Sequence, residues 1–246
     1  MKECSKSLSR RLGDSNFLNK YFCGHGIDIG GKPDPLVLYK EFFPKLESVR
    51  TWDLEDGDAQ FMESLDDNSV DFVHSSHCLE HLNDPYEGLK NWLRVIKHGG
   101  YIVVTLPDED LYEQGIFPST FNGDHKNTFS INKTESWSDK SVNILDLIKS
   151  LGQMADLRKI ELIDYTYRYS LPRYDHTLTP VGESAIEIII RKREVDEIES
   201  KKLIRKNIQP SDEIKIHLNQ YTDDMKNMKN SNSSQPPFTN KSDIEN

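Results

Sequence analysis

A chain of 246 residues, 35% hydrophobic and 29% charged, is long enough for one α/β domain with additions or two small domains, and too short for a large multidomain machine. Its formal net charge of −10 argues against an extended nucleic-acid surface, which needs a basic stripe. The three cysteines, Cys4, Cys23 and Cys78, have no metal-ligand spacing and an odd count, which suits free thiols. No apolar run approaches the roughly 20 residues of a membrane span, and the first 21 residues lack a leader-like apolar core, so a cytoplasmic location is expected.

Residues 5–22 place Leu8, Leu12, Phe17, Leu18 and Phe22 at loosely helical spacing around Gly13, so residues 1–25 are expected to form a helical flank. Gly26-Ile27-Asp28-Ile29-Gly30-Gly31 reads as a short strand running into a glycine turn, and Lys32-Pro33-Asp34-Pro35 blocks an immediate helix. Residues 48–53 form a second strand ending in Asp53, and residues 69–75 a third. Asp84-Pro85-Tyr86-Glu87 then supplies an N-cap, a proline at the first helical position and an acid in the first turn. Leu89, Trp92, Leu93 and Ile96 continue that helix on one face, with Gly99-Gly100 expected to stop it.

Residues 101–106 are an almost wholly apolar run, suited to the middle of a parallel sheet. A helix over 143–151 precedes two β-rich stretches, 159–168 and 184–193, expected to pair as an antiparallel hairpin at a sheet edge, with a long loop over 170–182. The alternation predicts a doubly wound α/β fold with a mostly parallel sheet over residues 26–195, and ligands at the carboxyl ends of its strands. Residues 196–246 are polar and are expected to form a largely disordered tail.

Three blocks, GIDIGG (26–31), TWDLEDGDAQ (51–60) and VDFVHSSHCLEHLNDP (70–85), resemble those of class I S-adenosylmethionine-dependent methyltransferases, and their spacing fits. With LPDEDLYEQG and DHKNTF, the chain over about residues 12–193 also resembles methyltransferases of bacterial surface-glycan biosynthesis. The resemblance implies the Rossmann-like methyltransferase fold, S-adenosylmethionine as cofactor, and methylation of an oxygen on a small or glycan-linked acceptor. It departs from the usual glycine loop, since Lys32 and Asp34 stand where the second and third glycines would be.

Under this reading Gly30 and Gly31 let backbone approach the cofactor, and Asp53 accepts from the ribose hydroxyls. Asp58 and Ala59 fall at the adenine, Asp28 at the methionine end, and His77 lines the pocket past the third strand. On the acceptor side, Asp124-His125 and Asp175-His176 each set a histidine beside a carboxylate. His125, His176 and Asp124 are therefore the candidate catalytic residues, a histidine removing the acceptor proton late in transfer. Both pairs also read as turn formers, His77 as a loop cap, and together the pairs would offer metal ligands, although no metal is assigned. A noncatalytic cofactor-fold module and a nicotinamide-dependent oxidoreductase are the alternatives.

Overall fold

In the computed structural model, which describes residues 2–204 and 211–230, a six-stranded sheet forms the centre. Helix α1 (Glu3–Leu12) is followed by a wide turn over Phe17–Tyr21, strand β1 (Gly24–Ile29) and strand β2 (Leu46–Trp52). Strand β3 (Val70–Ser76), helix α2 (Pro85–Val95) and strand β4 (Ile96–Pro107) come next. Strands β5 (Thr128–Ser130) and β6 (Ser141–Asn143) make a separate two-stranded ribbon ahead of helix α3 (Ile144–Ser150). Strands β7 (Ala155–Ile163) and β8 (Ala185–Lys192) and helix α4 (Val195–Ser200) complete the first of two compact units, residues 1–202. The second unit, residues 203–246, contains helix α5 (Asp212–Asn230).

The sheet runs β2-β1-β3-β4-β8-β7, with the first four strands parallel and β8 antiparallel to both β4 and β7. This is the expected doubly wound sheet with an antiparallel C-terminal pair, although β7 starts four residues earlier than its composition suggests and ends at Ile163. Alternation along the strands separates two cores. Ile27, Ile29, Val73, Ile102, Val104, Ile186 and Ile188 pack on one face beneath Leu89, Trp92 and Leu93 of α2 and Leu147 of α3. Phe72, Tyr101, Val103 and Ile189 pack on the other, under Cys4 of α1 and the rings of Phe17, Tyr21 and Phe22.

Helix α2 begins as its sequence requires, Asp84 accepting from the backbone N–H of Tyr86 and Glu87 and Pro85 opening the first turn. Its end differs from expectation. The helix stops at Val95, and Gly99-Gly100 lie inside β4, where the chain runs so close to the Asp71 carbonyl that a Cβ on Gly100 would sit 2.4 Å from it. In the region expected as a polar tail, Val195–Ser200 and Asp212–Asn230 are helical, whereas 205–210 and 231–246 lie outside the described residues. All three cysteines are free thiols, and burial pushes Cys4 and Cys78 up to about 12. No described helix is long and apolar enough to cross a membrane.

On the α1 face, the carboxyl ends of the strands turn polar. Arg11 of α1, 1% exposed, donates through Nε to Glu187 of β8 at 3.2 Å and through its two terminal nitrogens to His74 Nε2 of β3 at 2.9 Å and Thr105 Oγ1 of β4 at 3.0 Å. Because guanidinium can only donate, His74 Nε2 is an acceptor, and its Nδ1–H therefore donates to Asp28 of β1 at 2.6 Å. Arg10 adds a second ion pair to Glu187 at 2.6 Å and one to Glu183 at 2.8 Å. Burial alone would raise the Glu187 carboxyl, but the two guanidinium groups outweigh it and hold the carboxyl down at about 2.

A carboxyl depressed in the folded state stabilises the fold above its unfolded value, and that contribution is lost as pH falls toward the folded value. Arg11→Met is expected to cost about 3 kcal/mol at neutral pH, because it leaves buried carboxylate and imidazole short of partners. Urea unfolding should also show the wild-type advantage over Glu187→Gln shrinking between about pH 5 and pH 2. A pH-independent difference between the two would remove Glu187 as a charged partner.

Candidate active site

The first cavity lies where β1 and β3 end. Its volume is about 170 Å³, and its walls include Asp28, Gly30, Gly31, Asp34, Ser76 and His77, with Glu3 and Cys4 of α1 closing one side. A second, of about 380 Å³, lies past β2 and includes Leu54, Asp58, Ala59, Cys78 and Leu82. His81 borders both. The two cavities thus form a polar end and a more apolar end around the first three strand termini.

Local backbone chemistry sets the polar end. Gly30 has φ of +68°, and a Cβ there would meet Cys78 Cβ at 2.8 Å; a Cβ on Gly31 would meet Asp28 Oδ2 at 2.4 Å. Both glycines therefore leave space, Gly30 against Cys78 in the turn after β3 and Gly31 against the buried acid. Asp28 itself is buried, held by Leu36 N–H at 2.7 Å and by His74. Asp34 accepts from the Ser5 N–H of α1 at 2.8 Å and from Tyr39, which anchors the start of the helix over the cavity. The missing glycines at 32 and 34 are thus accounted for: Lys32 pairs with Glu55, and Asp34 fixes α1.

At the other end, Asp53 leaves β2 and its Oδ1 accepts from Leu54 N–H at 2.9 Å, which leaves acceptor capacity on the carboxylate. Leu54 is 93% exposed, and Asp58 turns the chain by accepting from Gln60 N–H at 2.8 Å. Ala59 is fixed from behind, its carbonyl accepting from Trp92 Nε1 at 2.8 Å. Acids line the polar end, the carboxylate of Asp53 follows directly on β2, and the second cavity is more apolar, a set of groups whose chemistry suits the cationic, hydroxyl-bearing and aromatic parts of S-adenosylmethionine. The residues present fit that group.

His77, at φ of +55°, turns its ring inward beside β3 and is buried. Its Nδ1 lies 3.3 Å from Glu80 Oε1 and its Nε2 3.8 Å from Glu3 Oε2, yet neither ring nitrogen makes a hydrogen bond. Burial disfavours its charge, but Glu80 and Glu3 outweigh that and raise its pKa. Sequence reasoning left out Glu3 and Glu80; only the Glu-His pair at 80–81 hinted at the latter.

The Asp–His pairs are not built as expected. The carboxylate on His125 is Glu113, at 2.6 Å from Nδ1, because a left-handed residue at Gln114 and the turn before it bring that acid inward while Asp124 stays on the surface. Asp175 spends its carboxylate on Thr177 N–H and Oγ1, capping a short turn, and His176 is stacked between Tyr167 and Tyr174 with centroids 4.1 and 3.9 Å away. His125 is buried behind His81, with ring centroids 5.0 Å apart, and neither His125 nor His176 is among the residues that line the first cavity. Among the described residues, His125 and His176 do not share a set of metal-ligand atoms.

Residues 26–104 match the family described as a methyltransferase domain. No curated protein matches the chain. Among solved structures, it is similar to a putative methyltransferase of Bacillus halodurans C-125 at 14% identity, covering 76% of this chain and 99% of that one, with a TM-score of 0.50. An Archaeoglobus fulgidus S-adenosylmethionine-dependent methyltransferase is 17% identical over 78% of this chain and 95% of that one, with a TM-score of 0.48. At such identity the likeness to the Bacillus halodurans protein speaks for the fold alone. Family match and site together make the chain a methyltransferase whose cofactor is S-adenosylmethionine.

Asp53→Ala is expected to weaken binding of S-adenosylhomocysteine by roughly 1–3 kcal/mol in titration calorimetry, and Asp53→Asn by less. Equal affinities for wild type and Asp53→Ala would remove Asp53 from the site. Gly31→Ala should abolish measurable binding, since Asp28 is held from two sides and cannot move aside for the added methyl.

Proposed function

We propose that this methyltransferase transfers the methyl group to a hydroxyl of a small or glycan-linked acceptor held over the cavity end lined by Glu3, Ser76, His77, His81 and Asn122. The observation that carries the reading is the wall's unmet polarity. Glu3 Oε2 and both ring nitrogens of His77 are buried without hydrogen-bond partners, so the site is completed by a ligand rich in hydroxyl groups. S-adenosylmethionine, when bound, supplies the electrophilic methyl carbon.

The chain's own work is alignment and exclusion of water. Helix α1 roofs the cavity through Glu3 and Cys4, and Lys6 holds Glu3 Oε1 at 2.8 Å while donating to the Thr177 carbonyl at 2.6 Å. Glu3 is thereby fixed with its second oxygen toward His77. As the acceptor oxygen takes up the methyl carbon, the electron pair of the broken sulfur–carbon bond would stay with S-adenosylmethionine. The released proton passes to the Glu3–His77 pair. Alignment at bonding distance supplies most of the acceleration.

Labelled S-adenosylmethionine incubated with sugars and nucleotide-sugars should yield an O-methylated product, seen as a mass gain of one methylene. A product methylated on nitrogen or carbon would overturn the oxygen assignment. His77→Gln and Glu3→Gln are each expected to lower turnover by about 10²–10⁴-fold at saturating cofactor with little change in its affinity. Wild-type turnover in both would place the acceptor elsewhere.

A further inference from the structure

Behind the cavity wall, three histidines converge on one carboxylate. Glu80 follows β3 in a short turn over Leu79–His81 and is fully buried, yet neither of its oxygens makes a hydrogen bond. Its Oε1 faces His81 Nε2 and His125 Nε2, each at 3.9 Å, and His77 Nδ1 at 3.3 Å. An ionised, unsatisfied carboxylate in such a place is costly unless a cation sits against it.

The outer partners of the two more distant rings fix what they present. His81 Nδ1 lies 3.1 Å from the Asp124 carbonyl, and His125 Nδ1 lies 2.6 Å from Glu113 Oε1. Both oxygens can only accept, so each Nδ1 carries a proton and, in the neutral ring, each Nε2 turns a lone pair toward Glu80. His125 Nε2 is buried and has no hydrogen-bond partner. Two lone pairs facing a carboxylate repel one another, and a shared cation reverses the sign.

We infer that Glu80, His81 and His125 bind one divalent transition-metal ion, with Glu113 and the Asp124 carbonyl orienting the two imidazoles from outside. The ligand atoms lie within 4.8 Å of one another. Ligands about 2.0–2.2 Å from a tetrahedral zinc stand about 3.4 Å apart, so closure asks for roughly an ångström of side-chain movement. Two imidazoles and one carboxylate suit zinc, manganese or iron(II) better than magnesium or calcium, which favour all-oxygen sets. The carboxylate–histidine arrangement at Glu113 is the outer support that metal-bound histidine ordinarily has. The site borders the acceptor cavity through His81, and the inference holds whichever acceptor is methylated.

The full chain, stripped with EDTA and titrated with zinc or manganese, should take up one equivalent and much less tightly hold magnesium. Glu80→Gln and His125→Ala are expected to weaken uptake by about 100-fold or more, and Glu113→Gln by about 10–100-fold. In case a variant fails to fold, the wild type gives a separate reading: manganese should broaden the ring resonances of His81 and His125 and spare those of His25 and His98. No stoichiometric uptake by the wild type would overturn the site, leaving His77 alone to balance Glu80. Uptake unchanged in folded Glu80→Gln and His125→Ala, or broadening at other histidines instead, would overturn it equally.

Discussion

The fold depends on a buried guanidinium. Arg11 is the point at which α1, β3, β4 and β8 meet, and through His74 it extends to Asp28 on β1. Each member would be costly in isolation at this depth, and each is satisfied only while the others hold position. The network therefore acts as a register device. It sets four strands at a common height and seats α1 over their ends, and the cavity takes its shape from that seating.

The same network divides satisfied from unsatisfied polarity. Asp28, His74, Arg11 and Glu187 meet one another's needs, and so provide a rigid floor. Beside it, Glu3 and His77 in the cavity wall and Glu80 and His125 behind that wall bury atoms that the protein does not satisfy. A protein that closes its hydrogen bonds so fully in one layer and leaves them open in the adjoining layer has reserved the second layer for what it binds. Each layer sets two acids against two basic side chains, Asp28 and Glu187 in the first and Glu3 and Glu80 in the second.

Much of this was legible in the sequence wherever the determinant is local. The glycine turn after β1, the Asp84-Pro85 cap and the apolar stripe of α2 all act within a few residues, and the structure shows each of them, with Asp53 directly after β2. The β7–β8 pairing was legible too, because both runs are rich in branched apolar residues. What could not be read depends on chain separation. Arg11 and Glu187 have no local pattern that announces them, and residues 101–106 read as almost wholly apolar, with nothing to show that Thr105 turns its hydroxyl to Arg11. The Asp–His pairs misled for the same reason: sequence neighbours are not spatial partners when the aspartate is more useful to its own backbone, and Glu113, twelve positions from His125, takes the place expected of Asp124.

The reversed direction of β8 has a consequence for how the chain reaches this state. Arg11 and Glu187 are 176 positions apart, so α1 finds its counter-charge only after a strand made much later in the chain has joined the sheet. Until then Arg11 can bond to His74 and Thr105 but lacks the carboxylate that balances its buried charge, which is unfavourable. Closing so long a loop is slow relative to forming β1 through β4, where neighbours are near in sequence. Docking of α1, and with it the assembly of a closed cavity, is thus tied to completion of the whole domain. A partly made chain has a sheet but no sealed site.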